Sequence, residues 1–157
     1  MMRKETPKKS KEEYAIILDF LPNGYLNSKV PLFRRTPIAQ AIGTEHLSIL
    51  ELVPKKGVFL QPLEKVYIGA GKREKIHHIN CKLKFEILTE TAKLELTPVI
   101  KEIVKQKESV FVNFFNKSSA LSVRMHQLEL LPGMGKKNLI KILELRKEKP
   151  FESFEDI

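Results

Sequence analysis

One cysteine, no tryptophan and no long apolar run: these are what the 157-residue chain has least of. With Cys81 alone, an intramolecular disulfide framework is excluded, and a reducing, cytoplasmic setting is expected. No apolar stretch approaches the ~18 residues that a membrane-spanning helix needs. The N-terminal MMRKETPKKSK carries charge with no apolar segment behind it, so it does not read as a secretory signal. No P-loop is present, and no carboxylate cluster suggests two-metal hydrolysis. Without Trp, the nine Phe and three Tyr must supply the large aromatic volumes.

Acid is scarce beside base. The chain has 28 Lys+Arg against 19 Asp+Glu, a net charge of +9. Such a balance points to nucleic acid or another anionic surface; a basic surface kept for solubility is the competing explanation. The charge is concentrated. Residues 55–84 hold Lys55, Lys56, Lys65, Lys72, Arg73, Lys75, Lys82 and Lys84 against only Glu64 and Glu74. Residues 133–149 hold six cations against Glu144 and Glu148. Residues 1–11 carry five basic side chains and one acid, and read as a disordered basic arm adding phosphate contacts or as a tail with no role.

Hydrophobic patterning divides the chain into strands first and helices second. The apolar run over 14–21 ends at Pro22-Asn23-Gly24, as a buried strand ends at a turn. Residues 38–42 and 46–53 read as a hairpin around Gly43-Thr44-Glu45. A further strand runs from Leu60 to Ile68, interrupted near Pro62. The segment 75–87 alternates, with Ile79, Cys81, Leu83 and Phe85 expected on the core side and His78, Asn80, Lys82 and Lys84 on the other. About five short strands in residues 12–88 suit a small OB-like β-barrel, and an SH3-like barrel has the same appearance in sequence. Residues 89–157 are expected to be helical, with a long helix starting at Thr97-Pro98 and continuing to Phe115. The fold class is therefore α+β.

Within the helical region, Leu131-Pro132-Gly133-Met134-Gly135-Lys136-Lys137 separates two segments with helical spacing, Leu121/Met125/Leu128/Leu131 and Leu139/Ile140/Ile142/Leu143. Two helices joined by a Pro-Gly-x-Gly turn resemble a helix-hairpin-helix at about residues 119–147. Glycines permit positive φ and close approach of a ligand. The second helix then begins with free N–H groups and a positive dipole end, which suit a phosphate. Lys136 and Lys137 add two cations there, and Arg146 is a weaker candidate. A plain αα-hairpin whose glycines only make the turn is the alternative. On the barrel side, Lys72, Arg73, Lys75, Lys82 and Lys84 would line a phosphate track, with Arg34-Arg35 on another loop. Tyr25, Phe33, Phe59 and Tyr67 are the aromatics that base stacking would need.

Two chemical readings are set aside. His77-His78-x-x-Cys81 invites zinc, but on a strand His77 and Cys81 stand roughly 13 Å apart, too far for one ion. No metal or other cofactor is expected, and Cys81 reads as a small buried hydrophobe. Some helix-hairpin-helix DNA glycosylases place a catalytic lysine where Lys137 stands, with an acid further on, for which only Glu155 or Asp156 is at hand. Those enzymes need a helical domain with a pocket for a flipped base, and strands occupy that place here.

The segments EEYAIILDFLP, PIAQAIG, ELVPKKGVFL, KVYIGAGKREKI, FVNFFN and LELLPGMGKKNLIKILELRKEKPFESFEDI together resemble the archaeal proteins of unknown function that join an OB-like barrel to a helix-hairpin-helix region. The resemblance implies RNA binding and supplies no enzymatic activity. The expected function is thus non-enzymatic nucleic-acid binding, RNA favoured over DNA, with Gly133, Gly135, Lys136 and Lys137 on a phosphate. A DNA-binding repair or chromatin role, and a protein–protein adaptor role on a ribonucleoprotein assembly, are the alternatives. Residues 150–157 read as the beginning of a second hairpin; a single hairpin and a truncated chain both account for that.

Overall fold

A computed structural model describes residues 11–157; the basic arm lies outside the described residues apart from Lys11. Five strands form one antiparallel sheet: β1 (Tyr14–Leu21), β2 (Ile38–Gly43), β3 (Ile49–Pro54), β4 (Lys65–Tyr67) and β5 (Ile76–Lys82). The sheet order is β4-β1-β2-β3-β5, so β1 to β3 form a meander and the last two strands flank it. Three α-helices follow: α1 (Glu90–Gln106), α2 (Glu108–Lys117) and α3 (Lys136–Glu148). The fold is α+β, strands before helices. The sheet is curled and open: among the described residues no ladder joins β4 to β5.

The core sits against one face of this sheet. Ala15 and Ile17 of β1, Ala39 and Ala41 of β2, and Leu50 and Leu52 of β3 alternate onto it, joined by Leu60, Val66, Ile68 and Ile76. Register shifts mark bulges in β1 at Ile17/Asp19 and in the β3–β5 pair. Bulges bend a strand and add twist, which is how so few strands curl around one core.

The β5 bulges also overturn an expectation. Glu51 pairs with Cys81 but Leu52 with Ile79, and Val53 pairs with His78 but Pro54 with Ile76. Asn80 and His77 are the extra residues. Each insertion reverses the side to which the following residues point, so strict alternation over 75–87 fails. Ile76 is buried and Ile79 packs on the core, while Cys81 is exposed rather than buried. The strand ends at Lys82, and Phe85–Ile87 form a single 3-10 turn.

The second face of the sheet is buried too: Leu18, Ile38 and Ile42 are buried outside that core, together with the polar Gln40 and Glu51. Gln40 is fully buried; its Oε1 accepts from the Thr89 N–H at 2.9 Å, and its Nε2 donates to the Ile87 carbonyl at 3.2 Å. Thr89 is the N-cap of α1: its hydroxyl accepts from the Ala92 N–H and donates to Asp19 Oδ2 at 2.6 Å. The helix therefore starts at Glu90, not at Thr97-Pro98, and Pro98 lies inside it. It removes one main-chain donor there. The expected single long helix is two, divided at Lys107.

The chain divides into two compact units, Met1–Lys101 and Glu102–Ile157. The division falls later than the sequence boundary at 88/89 because Thr89 ties the start of α1 to β1 and β2. In the second unit Val112, Leu128 and Phe151 are buried. Asn116 fixes the last segment by accepting from the Phe151 N–H and donating to the Phe151 carbonyl, both at 2.8 Å.

Candidate nucleic-acid interface

The turn before α3 is built from a short 3-10 helix, Gln127–Leu130, whose ends are secured locally. His126 accepts from the Leu128 N–H at 3.1 Å, and the Glu129 carboxylate accepts from the His126 N–H at 3.0 Å. Residues 121–126, expected to be helical, instead form a tight loop closed by an Ala120–His126 bridge. The helical spacing of Leu121 and Met125 therefore does not report a helix; both side chains are exposed. What precedes the turn is one helical turn, not three.

Met134 N–H donates to the Leu131 carbonyl at 3.1 Å, which closes the loop around Pro132-Gly133. Gly133 holds φ +80°, a conformation that costs any residue with a Cβ. A Cβ at Gly133 or Gly135 would meet nothing within 4 Å, so the surface over the turn is open. Gly135 is the N-cap, and its carbonyl accepts from the Leu139 N–H at 3.0 Å. The N–H groups of the first turn of α3 point the same way as the helix dipole's positive end. Lys136 and Lys137 are exposed beside them, and no acid stands in that turn. Gly133, Gly135, Lys136 and Lys137 are thus brought together. Arg146 is not free to join them. Its Nη1 donates to the Phe115 carbonyl at 3.1 Å and to the Ser118 carbonyl at 2.8 Å, so it closes the end of α2.

In the first unit, the loop 69–73 carries the expected Lys72 and Arg73. Its shape is set by Tyr67, whose hydroxyl accepts from the Gly71 N–H at 3.0 Å. A Cβ on Gly69 would come within 2.5 Å of that hydroxyl, so the close approach needs glycine. Lys72 and Lys75 line a cleft of about 570 Å³ together with Tyr14, Lys65, Tyr67 and Glu74. The Tyr14 and Tyr67 rings pack edge to face at 5.4 Å, and the Lys65 ammonium stands 4.6 Å from the centre of the Tyr14 ring. Tyr14 and Lys65 were missed in sequence, because the register β1–β4 that makes Tyr14 the partner of Tyr67 is not readable from either segment.

The remaining cations divide. Lys75 pairs with Glu64, which holds that carboxyl below its ordinary value of 4.5, helped by the Gln61 N–H. Arg73 donates to the Gly69 carbonyl at 2.8 Å, and the Lys55 ammonium to the Arg73 carbonyl. Lys82 and Lys84 are exposed but lie at the other end of β5 from Lys75, roughly 20 Å along the strand at ~3.3 Å per residue. Lys82 borders a separate hollow with His46 and Cys81. One continuous barrel-side track is therefore not what these residues form. Of the stacking candidates, Phe33 and Phe59 are 82% and 73% exposed, while Tyr25 and Tyr67 are partly buried. The His77 and His78 rings meet each other, Nδ1 to Nδ1 at 2.7 Å, and Cys81 instead faces the Glu51 carboxylate at 3.8 Å. Partial desolvation and that carboxylate push the thiol up. No helix among the described residues is long and apolar enough to cross a membrane.

Residues 11–157 match the model of the family described as "protein of unknown function (DUF655)". An uncharacterized protein of Methanocaldococcus jannaschii, MJ0038, is 46% identical over 98% of this chain and 70% of its own length. The crystal structure of Af1531 from Archaeoglobus fulgidus, a member of the same family, superposes with a TM-score of 0.82 at 48% identity. That match covers 92% of this chain and 80% of the other.

Proposed function

We propose that the chain, which belongs to the DUF655 family of proteins of unknown function, is a non-enzymatic nucleic-acid-binding protein of the cytoplasm that holds RNA by its phosphates. In this reading residues 127–148 act as a helix-hairpin-helix whose first helix is a single turn. The observation that carries it is the open turn at Gly133–Gly135 leading straight into the N-terminus of α3 with exposed Lys136 and Lys137. Backbone N–H groups, dipole and two ammonium groups all favour an anion at one point, and none of them reads base sequence. The Tyr14/Tyr67 cleft with Lys65, Lys72 and Lys75 adds the aromatic-plus-cation chemistry that suits a single strand. The OB-like reading of the sheet belongs to the same proposal.

A second reading has its own support. Val123 is fully exposed, and Leu121, Met125 and Ile140 are at least 46% exposed around it, as on a surface that meets another protein. The test is fluorescence anisotropy with single-stranded RNA, an RNA hairpin and matched duplex DNA across a salt series. Salt-steep binding with RNA ahead of DNA is the expected result. Equal binding of duplex DNA moves the protein to a DNA role, and absence of binding to all three leaves the adaptor.

A further inference from the structure

The polar cluster on the second face of the sheet has no part in the phosphate chemistry above. Glu51 is 7% exposed, yet it forms no ion pair among the described residues. Its partners are neutral. The Tyr25 hydroxyl donates to Oε1 at 2.5 Å, and the Asn80 amide donates to Oε2. Burial, followed by that bond to Glu51, pushes the Tyr25 phenol up to about 12, so it stays protonated and oriented. An ionised carboxylate offers about four acceptor positions. Tyr25 is the protein donor on Oε1, which leaves that oxygen room for another.

Glu51 and Tyr25 line a cleft of about 190 Å³ whose other walls include the apolar Val30 and Ile38 and the polar Thr36, Arg34 and Arg35. That is below the roughly 300–1,000 Å³ of a drug-sized pocket, and it suits one planar group rather than a whole nucleotide. The wall that carries Val30 is fixed: Arg35 donates to the Val30 carbonyl at 2.9 Å and to the Ser28 carbonyl at 3.1 Å. Arg34 has its guanidinium 5.6 Å from the centre of the exposed Phe33 ring, in a 3-10 turn spanning Leu32–Arg34. Residues 26–35 hold three cations and no acid. A cleft of mixed apolar and polar walls, a buried carboxylate within it, and an exposed aromatic beside a cation is chemistry for a base attached to phosphates.

We infer that this cleft takes an unpaired nucleobase, with the Glu51 carboxylate accepting from its N–H edge and Phe33 and Arg34 receiving the neighbouring nucleotide. Guanine, which can offer N1–H or N2–H to Glu51 Oε1, fits it better than uracil, whose single N3–H stands between two carbonyls. The inference rests on the nucleic-acid reading and deepens it to single-stranded, guanine-containing RNA. A free guanine nucleotide shares the chemistry.

The test uses the full chain and two RNA 9-mers, all uridine and uridine with one central guanosine, plus guanosine monophosphate as competitor. Wild type is expected to prefer the guanosine 9-mer by roughly tenfold, the scale of one good base contact. Glu51→Gln should bring the two 9-mers within about twofold, the preference being what that contact supplied. Phe33→Ala, at an exposed position, should weaken both by a similar factor through lost stacking. Competition by the mononucleotide at the affinity of the guanosine 9-mer would keep the cleft and make the free nucleotide its ligand. Equal affinity of wild type for both 9-mers, with salt-steep binding retained, overturns the cleft and leaves the phosphate reading standing. No salt-dependent binding of either, and none of the mononucleotide, removes both. The wild-type preference needs no variant, so a misfolded Glu51→Gln would not shelter the idea.

Discussion

Replacing Lys136 and Lys137 together by alanine should change the salt dependence of binding more informatively than its strength at any one salt. Both ammonium groups are exposed beside the first turn of α3, and neither forms an ion pair among the described residues. If each neutralises one phosphate, the double variant loses two from the number of released counterions. The slope of log K against log salt then falls by about 1.4 on a single strand and about 1.8 on a duplex. Extrapolated from 1 M salt, that is a loss of roughly 25- to 60-fold at 0.1 M. Between 50 and 200 mM the wild type should lose about 7- to 12-fold more affinity than the variant does. Anisotropy titrations at five salt concentrations would measure both slopes. Arg146→Ala serves as the control, since its guanidinium is taken up by the Phe115 and Ser118 carbonyls. It should lower stability by about 2 kcal/mol, as loss of charged hydrogen bonds does, and leave the slope alone at temperatures where it is folded. Equal slopes for wild type and the double lysine variant, or a reduced slope only in Arg146→Ala, would refute the assignment of the phosphate to the α3 turn.

Two further outcomes follow from the first unit. Gln40→Leu should destabilise the protein by about 1–3 kcal/mol in urea unfolding, because the part-buried Thr89 N–H and Ile87 carbonyl both lose their partner; a change under 0.5 kcal/mol would mean that water replaces the amide. The Glu64–Lys75 pair sets an acid limit: the carboxyl is held below 4.5 in the folded chain, so its contribution is full above 4.5 and is lost as pH falls through the lower folded value. Lys75→Met should remove that part of the acid dependence of the thermal midpoint while leaving neutral-pH stability within about 1 kcal/mol, as for other partly exposed pairs.

The strand-then-helix order and β1, β2 and most of β3 were legible because each strand's hydrophobic run ends at a Gly or Pro turn. The β5 segment looked clearest and misled most. Its apolar residues do alternate in sequence, but two bulges insert Asn80 and His77, and a bulge leaves no mark in hydrophobic periodicity. Cys81 reached the surface by that route. In the second unit, Leu121, Met125, Leu128 and Leu131 have helical spacing, and only Leu128 is buried; four residues are too few to tell a helix from a loop that exposes two of them. The α3 turn was legible because Pro132, Gly133 and Gly135 specify backbone geometry directly. The Glu51 cluster was not, since Tyr25, Gln40, Glu51 and Asn80 come from four separate segments and meet only through sheet register.

The basic residues make the same point about charge. Composition counts every cation equally, but Arg35, Arg73, Arg146 and Lys55 donate to main-chain carbonyls, and Lys75 has Glu64. A carbonyl satisfies a donor without neutralising its charge. The four bonded to carbonyls therefore still contribute to the long-range positive field, which would draw in a polyanion, while their hydrogen bonds hold their heads in place. Among the described residues, Lys65, Lys72, Lys136 and Lys137 have no such tie, which would leave them able to reach a phosphate. In the proposed nucleic-acid role, attraction at a distance and grip on contact would thus fall to different residues. Net charge bears on the first, and only the hydrogen-bond partners identify the second.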